Sequence, residues 1–147
     1  MPHDGSEMSD KALDEATKFA KLFSSKIILL HVVDDRFTPP SLLLSFIKER
    51  SSLKEAKAKL FAVLKIGAKN MLGDRKDKIQ MGSGIDVNIE IGVGSPFKEI
   101  VKVAKSENVD IIIMGSRRFK GIGKIRGLGS VAMRVTRTAA CPVMLVH

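Results

Sequence analysis

Apolar residues recur along this chain in two alternating rhythms. From about Asp10 to Phe23, Leu13, Ala16, Ala20 and Phe23 fall at helical spacing with Lys11, Asp14, Lys18 and Lys21 between them, which predicts an amphipathic helix. Ser6 or Ser9 is placed to cap it by accepting a hydrogen bond from an unpaired amide of the first turn. After Ser24-Ser25-Lys26, the run from Ile27 to Val33 is apolar around His31, too short for an ordinary helix and rich in β-branched residues. It reads as a strand covered on both faces. Asp34, Asp35 and the Pro39-Pro40 pair end it. Leu42 to Ile47 predicts a short helix, and Ser51 to about Leu72 a long one with Leu53, Ala56, Leu60, Leu64 and Met71 on one stripe.

Gly73 to Gly84 is polar, basic and interrupted by glycine, and reads as a linker. Val87, Ile89 and Ile91 then alternate with polar residues as a strand does. Ser95-Pro96 starts a helix, because proline at the first helical position lacks only an amide hydrogen that would be unpaired anyway. Val109 to Met114 predicts another strand, followed by a glycine-crowded loop, a helix from about Ser130 to Thr138 and a last strand from Pro142 to Val146. Strands separated by helices cannot be joined by hairpins, so the sheet is expected to be parallel, with right-handed crossovers and helices on both faces. The chain enters its first helix after only Met1-Pro2-His3 and the loop Asp4-Gly5-Ser6-Glu7. Four strands are therefore visible, at about Ile27, Val87, Asp110 and Val143. The first strand is expected to be truncated, with the recorded start lying inside a longer natural chain; a two- or three-residue edge, or outright loss of the strand, are the alternatives.

Composition narrows the setting. A chain of 147 residues fits one domain, 1–147, and with 5% aromatics and neither Trp nor Tyr its core must be built from Ile, Val, Leu and Met. The single cysteine, Cys141, has no internal disulfide partner, and no Cys/His cluster at metal spacing is present, so a reducing cytoplasm is the expected compartment. No apolar run reaches the roughly 18 to 20 residues that cross a bilayer, and the N-terminus lacks the segments of a signal peptide. A formal charge of +9 invites a nucleic-acid reading, but the lysines are spread over three predicted helices with acidic residues between them. Solvated helix faces account for that distribution better than a nucleic-acid patch, in the absence of a recognised module or stacking aromatics.

The richest chemistry lies between the strand ending at Met114 and the helix starting at Ser130, in the run from Gly115 through Gly129. In an open parallel sheet, ligands collect beyond the carboxyl ends of the strands, where glycines let backbone amides approach a phosphate and a helix N-terminus adds partial positive charge. Ser130 offers a hydroxyl there; Arg117, Arg118, Lys120, Lys124 and Arg126 offer cations. Spacing alone fits a solvated glycine-rich turn equally well. The loop is no Walker A motif, since Gly123-Lys124 is followed by Ile125, and no dinucleotide fingerprint is present. Asp4 sits at the rim of the expected crevice, where it serves either a polar ligand edge or metal, or a helix-side cap. His31 reads as a structural histidine rather than a general base, with no nucleophile near it in sequence.

Three stretches of the sequence resemble the universal stress protein family, and the resemblance covers nearly the whole chain. They are Pro2-His3-Asp4-Gly5-Ser6-Glu7 with Ser9 to Leu13; Leu29-Leu30-His31-Val32-Val33; and Asp110 to Ser116 leading into the glycine loop, Gly129-Ser130-Val131 and Cys141-Pro142-Val143. The resemblance implies a Rossmann-like α/β domain of the adenine nucleotide alpha hydrolase type, with a five-stranded parallel sheet in order 3-2-1-4-5 that dimerises through its final strand, here Val143 to Val146. It implies a module that binds ATP or a related adenine nucleotide; because the sequence offers no dedicated base beside the loop, at most slow ATP hydrolysis is expected, resting on phosphate positioning and a divalent ion, Mg2+ or Mn2+. By position, Asp4 and Val32 would hold the base, with Pro2, Met114, Gly115, Gly129, Ser130 and Val131 completing the site for ribose and phosphates and Arg117 and Arg118 lying on the phosphate side. Two positions depart from the family's nucleotide pattern: Arg118 stands where it has glycine, and Gly129 falls one residue late. The competing expectation is a nucleotide-free stress-response interaction protein whose glycine loop has degenerated.

Overall fold

The computed structural model describes residues 1–37, 53–116, 119–120, 126–127 and 129–147. Helix α1 (Glu7–Phe23) begins where Ser6, in extended conformation, accepts a hydrogen bond from the Ser9 amide, which satisfies one of the unpaired donors of a first turn. Its apolar stripe, Ala12, Leu13, Ala16 and Ala20, is buried. It ends at Ser24 in the left-handed conformation. Strand β1 (Ile27–Val33) pairs in parallel with β2 (Val87–Val93), from Ile27 against Val87 to Val33 against Val93. Strand β3 (Ile112–Gly115) pairs in parallel with β6 (Val143–Val146). Two short strands, β4 (Phe119–Lys120) and β5 (Arg126–Gly127), form a small antiparallel ladder. The expected helix over Leu42 to Ile47 lies outside the described residues.

Between β1 and β2 runs α2 (Leu53–Ser83), which corrects the expectation of a linker from Gly73 to Gly84. Leu72 and Ile79, two turns apart, are both buried against the sheet with Ile85 and Val87. That packing outweighs the cost of about 1 kcal/mol that a glycine imposes inside a helix. The helix stops at Gly84, whose φ of +67° only glycine adopts easily and whose amide bonds back to the Gln80 carbonyl.

The core is split by the sheet into two layers. On one face α1 and α2 cover Ile27, Leu29, Val87 and Ile113; on the other, α3 (Pro96–Ser106) and α4 (Ser130–Thr138) cover Leu30, Ile112 and Met114 through Ile100, Ala132 and Val135. Neighbours Leu29 and Leu30, and Ile112 and Ile113, thus point to opposite faces, as the two-residue period of a strand requires. The Arg134 guanidinium lies 3.5 Å from the centre of the Phe97 ring and ties α4 to α3.

Among the described residues β1 and β3 belong to separate two-stranded sheets. Met1, Pro2 and His3 run alongside β1: the Met1 nitrogen donates to the Ile28 carbonyl (2.8 Å), the Leu30 amide to the Met1 carbonyl (2.9 Å) and the His3 amide to the Leu30 carbonyl (2.8 Å). This is a parallel pairing one bridge long. Behind Met1, toward the amino ends of β1 and β3, it gives way to a cavity of about 390 Å³ lined by Met1, Phe19, Ile28, Ile111 and Ile113 among others. Among the described residues no helix is long and apolar enough to cross a membrane.

Candidate functional site

At the opposite, carboxyl ends of the same two strands lies a larger cavity, of about 590 Å³. Its walls come from β1 (His31, Val32 and, just beyond, Asp34), from the end of β3 (Met114, Gly115, Ser116), from the turn Pro2-His3-Asp4, and from the start of α4 (Gly129, Ser130, Val131). This is the crevice in which open parallel sheets bind ligands. Eight of the ten residues anticipated for the site, Pro2, Asp4, Val32, Met114, Gly115, Gly129, Ser130 and Val131, line it together. The other two, Arg117 and Arg118, lie outside the described residues. Sequence reasoning passed over His3, Asp34 and Ser116; the signal for the last two was their place just past a strand's carboxyl end.

Three features suit this crevice to an anionic, polar ligand. Gly129 caps α4 in a non-helical conformation without a side-chain hydrogen bond, so amides of the helix's first turn are not taken up by a capping side chain and carry the positive end of its dipole. Gly115 permits a close approach of chain to chain: a Cβ there would lie 2.6 Å from the Met8 carbonyl oxygen. Ser116 is 1% exposed, and its buried Oγ has no hydrogen-bond partner among the described residues. A buried hydroxyl without a partner is costly, and a ligand's oxygen would satisfy it.

The Asp4 turn is held from within. Asp4 Oδ1 accepts from the Ser6 amide (3.0 Å) and from Ser6 Oγ; Gly5, with φ of +83°, makes the bend. Asp4 thus steadies the turn before α1, whose N-cap is Ser6, and also lines the cavity. Beneath it His3, whose side chain is fully buried, faces Asp10 and Arg75: Nε2 is 2.9 Å from Asp10 Oδ1, and Arg75 clamps Asp10 through Nε (2.7 Å) and Nη2 (3.2 Å). Burial, and secondarily the neighbouring Arg75 charge, lower the His3 pKa against the raising effect of Asp10. The Arg75 hydrogen bond holds the Asp10 carboxyl below its usual range. His31 Nδ1 donates to the His3 carbonyl (2.8 Å), which fixes the proton on that nitrogen and accords with a structural histidine. Asp34 is engaged by Arg36 through two contacts of 2.9 and 2.7 Å. Among the described residues no group of three or more His, Cys, Asp or Glu is arranged to hold a metal ion.

Comparison with known proteins adds a lineage to this geometry. The model of the universal stress protein family matches residues 1–147. Universal stress protein MJ0577 of Methanocaldococcus jannaschii is 38% identical over 149 residues, covering 99% of this chain and 91% of the relative. Its solved structure matches with a TM-score of 0.79 at 36% identity, over 99% of this chain and 91% of that one. Two solved structures share the fold at lower identity: a universal stress protein in complex with cAMP (TM-score 0.64, 21% identity, 100% and 93% of the two chains) and the universal stress protein of Archaeoglobus fulgidus in complex with dAMP (TM-score 0.65, 19%, 99% and 94%).

Proposed function

The chain belongs to the universal stress protein family, and from that premise we propose that it is a regulatory module that binds ATP or a related adenine nucleotide in the crevice at the carboxyl ends of β1 and β3. The observation that carries the reading is the convergence, in one 590 Å³ cavity, of Asp4, Val32, Gly115, Gly129 and Ser130 from four separate parts of the chain. Two fold neighbours, in complex with cAMP and with dAMP, support an adenine nucleotide as the ligand class. Asp4 and Val32 would take the base, with Pro2 beside them. Met114, Gly115 and Val131 would border the ribose, and the Gly129 and Ser130 amides, the Ser130 hydroxyl and the Arg117 and Arg118 side chains would take the phosphates. Mg2+ or Mn2+ would arrive with the phosphates, the usual way in which such ions are held.

In this reading residues 1–147 form one domain, whose sheet has the order 3-2-1-4-5 with Met1–His3 as the carboxyl end of a shortened central strand. The edge of β6 away from β3 is free of a described strand partner, which favours pairing of two copies through Val143–Val146. Signalling would rest on nucleotide occupancy, with hydrolysis slow or absent. The test is acid denaturation of the purified protein with mass spectrometry of what is released, followed by calorimetric titration with ATP, AMP and cAMP. Stoichiometric release, or saturable binding weakened by Asp4→Ala and Ser130→Ala, is the expected result. A protein that purifies empty and binds none of the three favours the nucleotide-free interaction protein instead.

A further inference from the structure

The hydrogen bonds around His3 settle its protonation by elimination. Its Nδ1 faces the Gly5 amide at 3.1 Å, and an amide only donates, so Nδ1 carries a lone pair. Ser9 Oγ, 3.4 Å away, gives its single proton to the Ser6 carbonyl at 2.7 Å. The remaining proton sits on Nε2 and is donated to Asp10 Oδ1. The Arg75 Nε proton then goes to that same oxygen at 2.7 Å rather than to His3 Nε2 at 2.9 Å. A second proton on the ring would point at the Gly5 N–H, with Ser9 Oγ at 3.4 Å as a long acceptor among the described residues, and would bring a positive charge against Arg75.

We propose that His3 is the positioning residue of the Asp4–Gly5–Ser6 turn: as a neutral imidazole it accepts from the Gly5 amide, holds Asp4 at the cavity rim, and so makes ligand affinity sensitive to acid. The inference rests on the nucleotide reading only for its second half. The charged groups facing the ring are Asp10 from α1, Arg75 from α2 and Asp4 from the turn itself. Asp10 and Arg75 already neutralise one another, so Asp10 has little capacity left to stabilise an imidazolium. Gly5 also rests on α2, where a Cβ at this position would lie 3.0 Å from Met71 Sδ. The turn is therefore pinned by α2 on one side and by His3 on the other.

Two measurements test this. In the unliganded protein, NMR should show the Gly5 amide shifting in step with the His3 ring, at a midpoint below the 6.5 of a free histidine. A Gly5 amide that stays fixed while His3 titrates overturns the proposal. ATP affinity should weaken about fivefold from pH 7.5 to the fully protonated limit, the scale of one lost hydrogen bond. His3→Asn keeps an acceptor near the Nδ1 position but does not titrate, so in it the fall in affinity with acid should shrink to what protonation of the ligand's own phosphate gives. A variant that keeps the parent's pH profile refutes the coupling. Coupled NMR titration in a protein that binds no nucleotide would sink the nucleotide reading while leaving the role of His3 in the turn standing.

Discussion

Replacing Gly115 by alanine probes the contact on which the crevice depends. The new Cβ would lie 2.6 Å from the Met8 carbonyl oxygen, 2.8 Å from its carbon and 3.1 Å from the Ser9 nitrogen, all main-chain atoms that cannot rotate aside. To restore an ordinary contact of 3.4 Å the first turn of α1 must withdraw from β3 by about 0.8 Å. Overpacking of this kind costs about 1 to 3 kcal/mol. For a chain of this length that corresponds to a fall in Tm of about 3 to 9 °C. The same shift moves Ser9 and Ser6, and with them the Asp4 turn, so the rise in Tm that a bound nucleotide gives by mass action should shrink as well. Gly67→Ala is the matched control. Among the described residues nothing lies within 4 Å of a Cβ at Gly67, which sits exposed inside α2; alanine there should stabilise by about 0.5 to 1 kcal/mol, or about 2 to 3 °C. Thermal unfolding with and without ATP reads both. A Gly115→Ala protein that melts with the parent refutes the close approach of α1 to β3.

Two further outcomes concern the amino end. The Met1 ammonium is buried, and desolvation lowers its pKa from 8.0 to about 5; the unfolded chain therefore binds the proton more readily, and stability is complete above pH 8 and declines as pH falls toward 5. The full effect is on the order of 4 kcal/mol, so the urea midpoint should fall between pH 8.5 and 6. A chain acetylated at that nitrogen should be flat above pH 7, and an equal decline in both would contradict the burial. Adding about five residues of alternating apolar character before Met1 should fill the 390 Å³ cavity behind it and slow hydrogen exchange at Ile113. The Ile113 amide points away from β6, because the Ile112 amide points toward it. Unchanged exchange and an unchanged Tm would show that the cavity does not accept a strand.

What the sequence made legible followed from local rules. Ile27–Val33 carries its own length, composition and flanking polar residues, and β1 has the bounds its pattern predicts. Ser95-Pro96 and Gly129-Ser130 mark helix starts by chemistry confined to two residues, and both helices begin there. Prediction failed where a distant partner decided the outcome. Gly73, Gly82 and Gly84 suggested a linker, yet the segment up to Ser83 is helical because Leu72 and Ile79 reach the sheet, a contact invisible in a local window. The run from Val109 to Met114 was expected as one strand, but only Ile112–Gly115 is paired, since the neighbour available to it is the four-residue β6.

The candidate site divides along the same line. Gly115, Gly129 and Ser130 could be singled out because glycine beside a strand end and a hydroxyl at a helix start have a physical use in holding phosphate. His3 did not, because its meaning lies in Asp10, seven residues on, and in Arg75, seventy-two residues on. A histidine in an opening turn is unremarkable until both of its nitrogens are accounted for. Once they are, the network explains why a buried ionisable group is tolerated beneath the carboxyl-end cavity at all. A neutral ring with one donor and one acceptor satisfies the Gly5 amide and Asp10 at once, whereas an aliphatic side chain in its place would leave the Gly5 N–H without its partner. The cost of burying His3 is thus offset by the order it imposes on the turn that carries Asp4, and the same accounting makes that order depend on the ring staying uncharged.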